Sequence, residues 1–197
     1  MNKRKSGLLL ALSSLPGPYG IGGFGQEALA FIDILHRAEQ GYWQILPLGP
    51  TGFGNSPYSS FSTQAGNPLY IDLEDLGKKG LLLREELDHA KRPQGRVDYT
   101  NLHDERLALL KKAFSRVQRP LEEEIRLYAQ NNPWLDDFAL FMCLKDLHQG
   151  RSWLDWPDEY RNRKPQALEK IREQEKVNYQ FWIFTQFVFH KNMKDFN

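Results

Sequence analysis

The sequence predicts an α/β protein that opens with a parallel strand–helix–strand unit and continues into a largely helical insertion. Three observations predict it. Two short, continuous apolar runs, Ser6 to Leu12 and Tyr42 to Leu48, flank one amphipathic helical stretch. A long loop rich in Gly, Pro and Ser follows the second run directly. From Leu83 onward the apolar residues recur at helical spacing, punctuated by proline. Short unbroken apolar runs suit strands buried on both faces, the usual state of strands in a parallel sheet.

Each element follows in order. A basic Met1 to Lys5 precedes the apolar Gly7 to Leu12, with the small Ser13 and Ser14 behind it, and so mimics a secretory signal. The apolar run is at the short end of the about 7–15 residues such a signal needs, and Pro16 follows at once. The Gly/Pro loop Pro16 to Gly25 leads into a helix in which Ala28, Phe31, Ile32, Leu35 and Ala38 share one face, with Gly41 as its natural stop. The two runs are then expected to be parallel, joined by a right-handed crossover. Leu69 to Leu73 reads as a short extended piece. Candidate helices cover Asn101 to Gln118, Leu121 to Gln130, Trp134 to His148 and Gln166 to Asn192, separated by Pro120, Pro133 and Pro165. Asp136 and Asp137 fall in a first helical turn, where the helix dipole favours carboxylates. The chain therefore divides into residues 1–82 with the loop 49–68, a helical insertion over 83–178, and a helix over 179–197 that returns to the α/β part.

Bulk composition narrows the partner. Lys and Arg number 26 against 25 Asp and Glu, a formal net charge of +1, and the only basic block is Lys3-Arg4-Lys5, so there is no electrostatic case for nucleic acid. No segment approaches the roughly 18 apolar residues of a membrane span. The single Cys143 lies between Met142 and Leu144 and reads as an inert buried thiol in a reducing compartment. The five histidines, His36, His89, His103, His148 and His190, show no metal-ligand spacing with each other or with Cys143. A neutral small molecule or polysaccharide remains as the partner class.

The loop Gly49 to Pro68 suits such a partner. Phe53, Tyr58 and Phe61 alternate with Asn55, Ser56, Ser59 and Ser60, and Pro50, Pro57 and Pro68 stiffen the backbone. Flat aromatic faces beside hydroxyl and amide groups match a sugar, whose C–H faces stack while its hydroxyls exchange hydrogen bonds. The same composition also serves an ordered loop that packs only its own side chains.

A second glycine-rich stretch, Gly20-Ile-Gly-Gly-Phe-Gly25, satisfies a dinucleotide-binding pattern between strand and helix. Pro16 and Pro18 separate the first glycine from the strand end, and Gln44-Ile-Leu-Pro-Leu48 lacks the acidic residue that would hold a ribose. A nucleotide-dependent oxidoreductase is thereby a remote alternative.

Taken together, Gly7 to Gly22, Trp43 to Gly52, Asn55 to Ser62 and Ala65 to Pro68 closely resemble the amino-terminal part of the bacterial amylomaltases, the 4-α-glucanotransferases of the α-amylase-like superfamily. The resemblance continues through Ile71-Asp-Leu73, Trp134 to Lys145, Trp153 to Pro157 and Tyr179 to Phe189. It implies the start of a (β/α)8 TIM barrel carrying a helical insertion, a cytoplasmic location, no cofactor, and maltooligosaccharides and α-1,4-glucans as substrates. It also makes Ser6 to Leu12 a barrel strand and not a signal. Residues matching Ser56 and Tyr58 line the glucan cleft in that family, Tyr58 stacking on a sugar ring; Asn55 and Asn67 are weaker candidates, suited to loop-closing hydrogen bonds. Gly23 and Ala11 depart from the family, which commonly has an acidic residue and a proline there.

No catalytic residue is expected in this chain. Retaining transfer needs two carboxylates about 5–5.5 Å apart, and the resemblance implies that both come from later barrel strands, in a missing carboxy-terminal part of the same enzyme. The carboxylates present, Glu122 to Glu124, Asp136, Asp137, Asp155, Asp158 and Glu159, belong to helices or their caps, and Trp43, Trp134, Trp153, Trp156 and Trp182 read mostly as packing residues. The alternative to a glucanotransferase part is a non-catalytic α-glucan-binding or assembly fragment.

Overall fold

A computed structural model describes residues 4–196, with the side chain of Phe53 left out. The start of the signal-like segment (Met1 to Lys3), Asn197 and the Phe53 ring of the aromatic loop therefore lie outside the described residues. The chain divides into two compact bodies, one running to Val117 and resuming at Val188, the other covering Gln118–Phe187.

In the first body β1 (Gly7–Leu9) and β2 (Tyr42–Gln44) pair in parallel, Gly7 opposite Tyr42 and Leu9 opposite Gln44, with α1 (Gln26–Arg37) between them. The strand–helix–strand order is as the sequence predicts, but both strands are shorter than their apolar runs. After one further bond, from Leu10 N to Gln44 O at 3.0 Å, the first run tightens into a 3-10 turn at Leu12–Ser14. The expected burial on both faces is not found: Leu9 is 59% and Tyr42 64% exposed. A sheet of two strands has only edges, and among the described residues no third strand pairs with it. Cover comes at one point, where Trp43 packs edge-on against Phe31 with ring centroids 4.9 Å apart and donates from Nε1 to Leu10 O at 2.9 Å.

Two local readings are corrected. Gly41 does not stop α1: Glu39 takes the left-handed turn at φ 55°, and the Gly41 N–H donates to Ser6 O beside β1. Leu69 to Leu73 is not extended. Asn67 Oδ1 accepts from Leu69 N at 3.0 Å and fixes a 3-10 turn at Pro68–Tyr70, after which Asp72 Oδ1 accepts from Glu74 N at 2.9 Å and caps α2 (Leu73–Lys78). Two successive side-chain caps outweigh the β-propensity of Tyr70 and Ile71.

The helices α3 (Arg84–Ala90) and α4 (Tyr99–Ser115) group with the strands, although the sequence changes character at residue 83. The reason is polar as well as apolar. Arg106, buried on α4, donates to Ile71 O at 2.9 Å; Arg116 donates to Leu81 O at 3.0 Å and to Glu86 at 2.6 Å. Leu102, Leu110 and Ala113 are buried on the same helix.

The second body holds α5 (Leu121–Asn131), α6 (Trp134–Leu147), the short α7 (Asp158–Arg161), α8 (Pro165–Gln174) and the first turns of α9 (Lys176–Phe196). The helix expected over 166–192 is two helices. Glu175 N closes α8 on Ile171 O at 2.8 Å while Glu175 O accepts from Tyr179 N, also at 2.8 Å, so Glu175 belongs to the hydrogen bonding of both helices, and no proline or glycine marks the break. α6 buries Leu135, Phe138, Leu140, Met142 and Leu144 together with Cys143, whose thiol burial pushes up to about 12. Asp146 accepts from Trp182 Nε1 at 2.9 Å and ties α6 to α9.

Candidate functional site

Because β1 and β2 are parallel, their carboxyl ends lie at one edge, and both long loops leave from there. In open and closed parallel sheets this is the edge at which ligands are held. The loop of residues 49–68 is folded on itself: Thr51 bridges Ser60 antiparallel, and Gly52 N donates to Ser59 O at 3.0 Å. Gly54 at φ 80° and Asn55 at φ 54° turn the tip.

Ser56 and Tyr58 sit side by side on that folded loop. Ser56 is half-buried, its Oγ accepts from Tyr58 N at 3.3 Å and its carbonyl from Ser59 N at 3.1 Å, and in the turn so formed Tyr58 is 75% exposed. Asn55 is exposed at the tip, its N–H spent on Gly52 O. Asn67 lies apart from these three: it is 3% exposed, its N–H donates to Leu48 O at 2.8 Å, and its side chain caps the turn that follows. It closes the loop and presents nothing to solvent.

Sequence reasoning passed over two residues that hold this surface in shape. Ser60 Oγ donates to Ser62 O at 2.7 Å, and Ser62 Oγ accepts from Ala65 N at 3.0 Å and Gln64 N at 3.3 Å. The Ser-x-Ser spacing, with a hydroxyl bonding its own backbone two residues on, was the available signal. At the loop's far end a Cβ on Gly66 would stand 2.0 Å from the Phe189 ring, so only glycine lets the backbone lie against α9.

No residue from 49 to 68 is acidic or basic. The loop can therefore stack and hydrogen-bond a neutral ligand but supplies neither of the two carboxylates that retaining transfer needs. Several carboxylates elsewhere are engaged. Against the raising effect of burial, Arg172 and Tyr179 hold Asp136 below the usual carboxylate range, Arg116 holds Glu86 down at about 2, Arg163 pairs with Asp137, and Arg161 pairs with Asp158. A general acid needs its pKa raised, not lowered; Asp72, which burial pushes up, is occupied in capping α2 through Glu74 N. Among the described residues no group of three His, Cys, Asp or Glu could hold a metal ion, and no helix is long and apolar enough to cross a membrane.

The glycine-rich stretch is packed for a reason other than phosphate. A Cβ on Gly22 would meet Leu12 O at 2.1 Å and one on Gly23 would meet Tyr70 O at 2.7 Å, so these positions let three backbone segments touch. At the start of α1, where a pyrophosphate would sit, Glu27 Oε2 and Asp72 Oδ1 lie 3.0 and 3.7 Å from the Cβ position of Gly25. Two carboxylates there repel an anion.

Over residues 10–197 the sequence matches the family described as 4-alpha-glucanotransferase. It is 44% identical, over 95% of its length, to the 4-alpha-glucanotransferases of Streptococcus pneumoniae serotype 4 and of Thermus thermophilus, and it covers 39% and 38% of those proteins. The chain thus spans about two fifths of the length of the curated relatives it matches. Among solved structures, an amylomaltase from Streptococcus agalactiae in complex with acarbose superposes with a TM-score of 0.91 at 36% identity, covering 98% of this chain and 40% of that one.

Proposed function

Because the chain belongs to the 4-alpha-glucanotransferase family, we propose that it is the amino-terminal part of a cytoplasmic enzyme that transfers α-1,4-glucan segments between maltooligosaccharides. Its parallel strand pair is the start of a (β/α)8 barrel, and the reaction is a retaining double displacement on two carboxylates carried by later barrel strands. The observation that carries this reading is the exposed Tyr58 ring, held by Ser56 on an uncharged, internally bonded loop at the carboxyl edge of the strands. Tyr58 stacks on the C–H face of a glucose unit. Ser56 both orients Tyr58 and offers its hydroxyl, Asn55 contributes at the tip, and Asn67 acts only by closing the loop. The committed state of the carboxylates favours one further reading, an α-glucan-binding part without chemistry of its own.

Two measurements test this. Maltoheptaose is expected to slow amide hydrogen exchange across residues 52–62, and Tyr58→Ala to weaken that protection about two- to tenfold, the range of one aromatic contact; no protection at millimolar ligand would sink the proposed site. The 197-residue chain is expected to release no glucose from maltotriose. Release that Tyr58→Ala abolishes would mean that carboxylates within this chain perform the reaction.

A further inference from the structure

The helical body has a cavity of its own, of about 410 Å³, within the size range of small-molecule sites. Four aromatic side chains line it: Phe141 from α6, Trp153, Trp156, and Tyr160 from α7. Trp153 is 51% exposed, whereas Trp156 is 6% exposed, stacked on His148 with ring centroids 5.6 Å apart. An exposed indole beside a buried one gives the cavity a flat apolar wall that reaches solvent. Trp156 Nε1 is a buried donor without an acceptor among the described residues, a state that costs about 1–3 kcal/mol.

The polar lining settles the charge of what fits. Arg163 is paired with Asp137, and Arg161 with Asp158 and with Leu154 O at 3.2 Å. Each guanidinium is already neutralised, so the cavity has no spare positive charge to hold an anion. It does offer a carboxylate and a guanidinium side by side, an acceptor and donors that ring hydroxyls can bond. An aromatic wall with a neutralised polar rim is the chemistry of a neutral polyhydroxyl ligand with apolar faces.

We propose that this cavity binds a segment of α-1,4-glucan chain, with Trp153 as the stacking platform and the Asp137–Arg163 pair as the hydroxyl-binding edge. The inference rests on the reading of the protein as part of an α-glucan enzyme, and adds to it a second holding point on the helical body. Sequence reasoning placed Trp153 among packing residues; its exposure, which composition does not encode, is what sets it apart.

The test is amide hydrogen exchange of the full chain with maltoheptaose in the Tyr58→Ala background, which removes the platform of the loop and leaves the cavity untouched. Protection over residues 137–163 is expected to persist there, to fall about tenfold in apparent affinity with Trp153→Ala, and to return with Trp153→Phe. Quenching of tryptophan fluorescence by maltoheptaose follows the same order. Unchanged protection in Trp153→Ala, or no protection of residues 137–163 at any maltoheptaose concentration that protects the loop of the unaltered chain, overturns the proposal. In the unaltered chain, no protection over residues 52–62 with residues 137–163 still protected strikes the proposed loop site and leaves the cavity standing.

Discussion

Two apolar stretches of this chain end in opposite environments. Residues Phe181 to Phe189 of α9 are buried without a break, Thr185 and Gln186 included, while Leu8 and Leu9 of β1 are left at 42% and 59% exposure. The difference lies in what each element needs from its neighbours. A helix closes its backbone bonds internally and needs only side chains around it; a parallel strand needs further strands at its edges before its faces can be covered. α9 finds its packing inside this chain, whereas β1 and β2 keep open edges and exposed faces.

Four substitutions bear on that contrast, all read as shifts in urea midpoint. The largest effect is expected from Phe184→Ala, fully buried in α9, at about 3–5 kcal/mol. Next comes Gly66→Ala, whose methyl must displace the Phe189 ring, at about 1–3 kcal/mol and with altered exchange in the loop. Trp43→Phe removes the bond to Leu10 O from the half-covered strand pair and is expected to cost about 1 kcal/mol. Leu9→Ala should stay within about 0.5 kcal/mol, the scale of a surface change. A cost for Leu9→Ala equal to that for Phe184→Ala would break the comparison, since it would mean that β1 is covered in solution by contacts absent from this fold.

The same contrast explains what was legible in the sequence. Apolar run length and helical spacing located the strand pair, α1, α4, α5 and α6, because those signals are local. Exposure of β1 was not legible: Gly7-Leu-Leu records that a strand is made to be buried, not whether its cover is present. The break at Glu175 left no trace because no proline or glycine marks it and Glu175 bonds into both helices. In the candidate site, Ser56 and Tyr58 were singled out from loop composition joined to a family resemblance, and Asn55 and Asn67 as weaker candidates suited to loop-closing hydrogen bonds. The outward place of Tyr58 was not, since it depends on how the local turn at Ser56 to Ser59 is bonded, and the serine staples were hidden among other serines.

The loop of residues 49–68 contains no charged side chain, and this bears on how a ligand arrives as much as on what is held. With no charge of its own, the loop adds no long-range attraction to a neutral ligand, and capture there proceeds by diffusion and fit. Added salt screens nothing at the point of contact. The affinity of such a surface for a neutral ligand would hold steady across ionic strengths and across mild changes of pH.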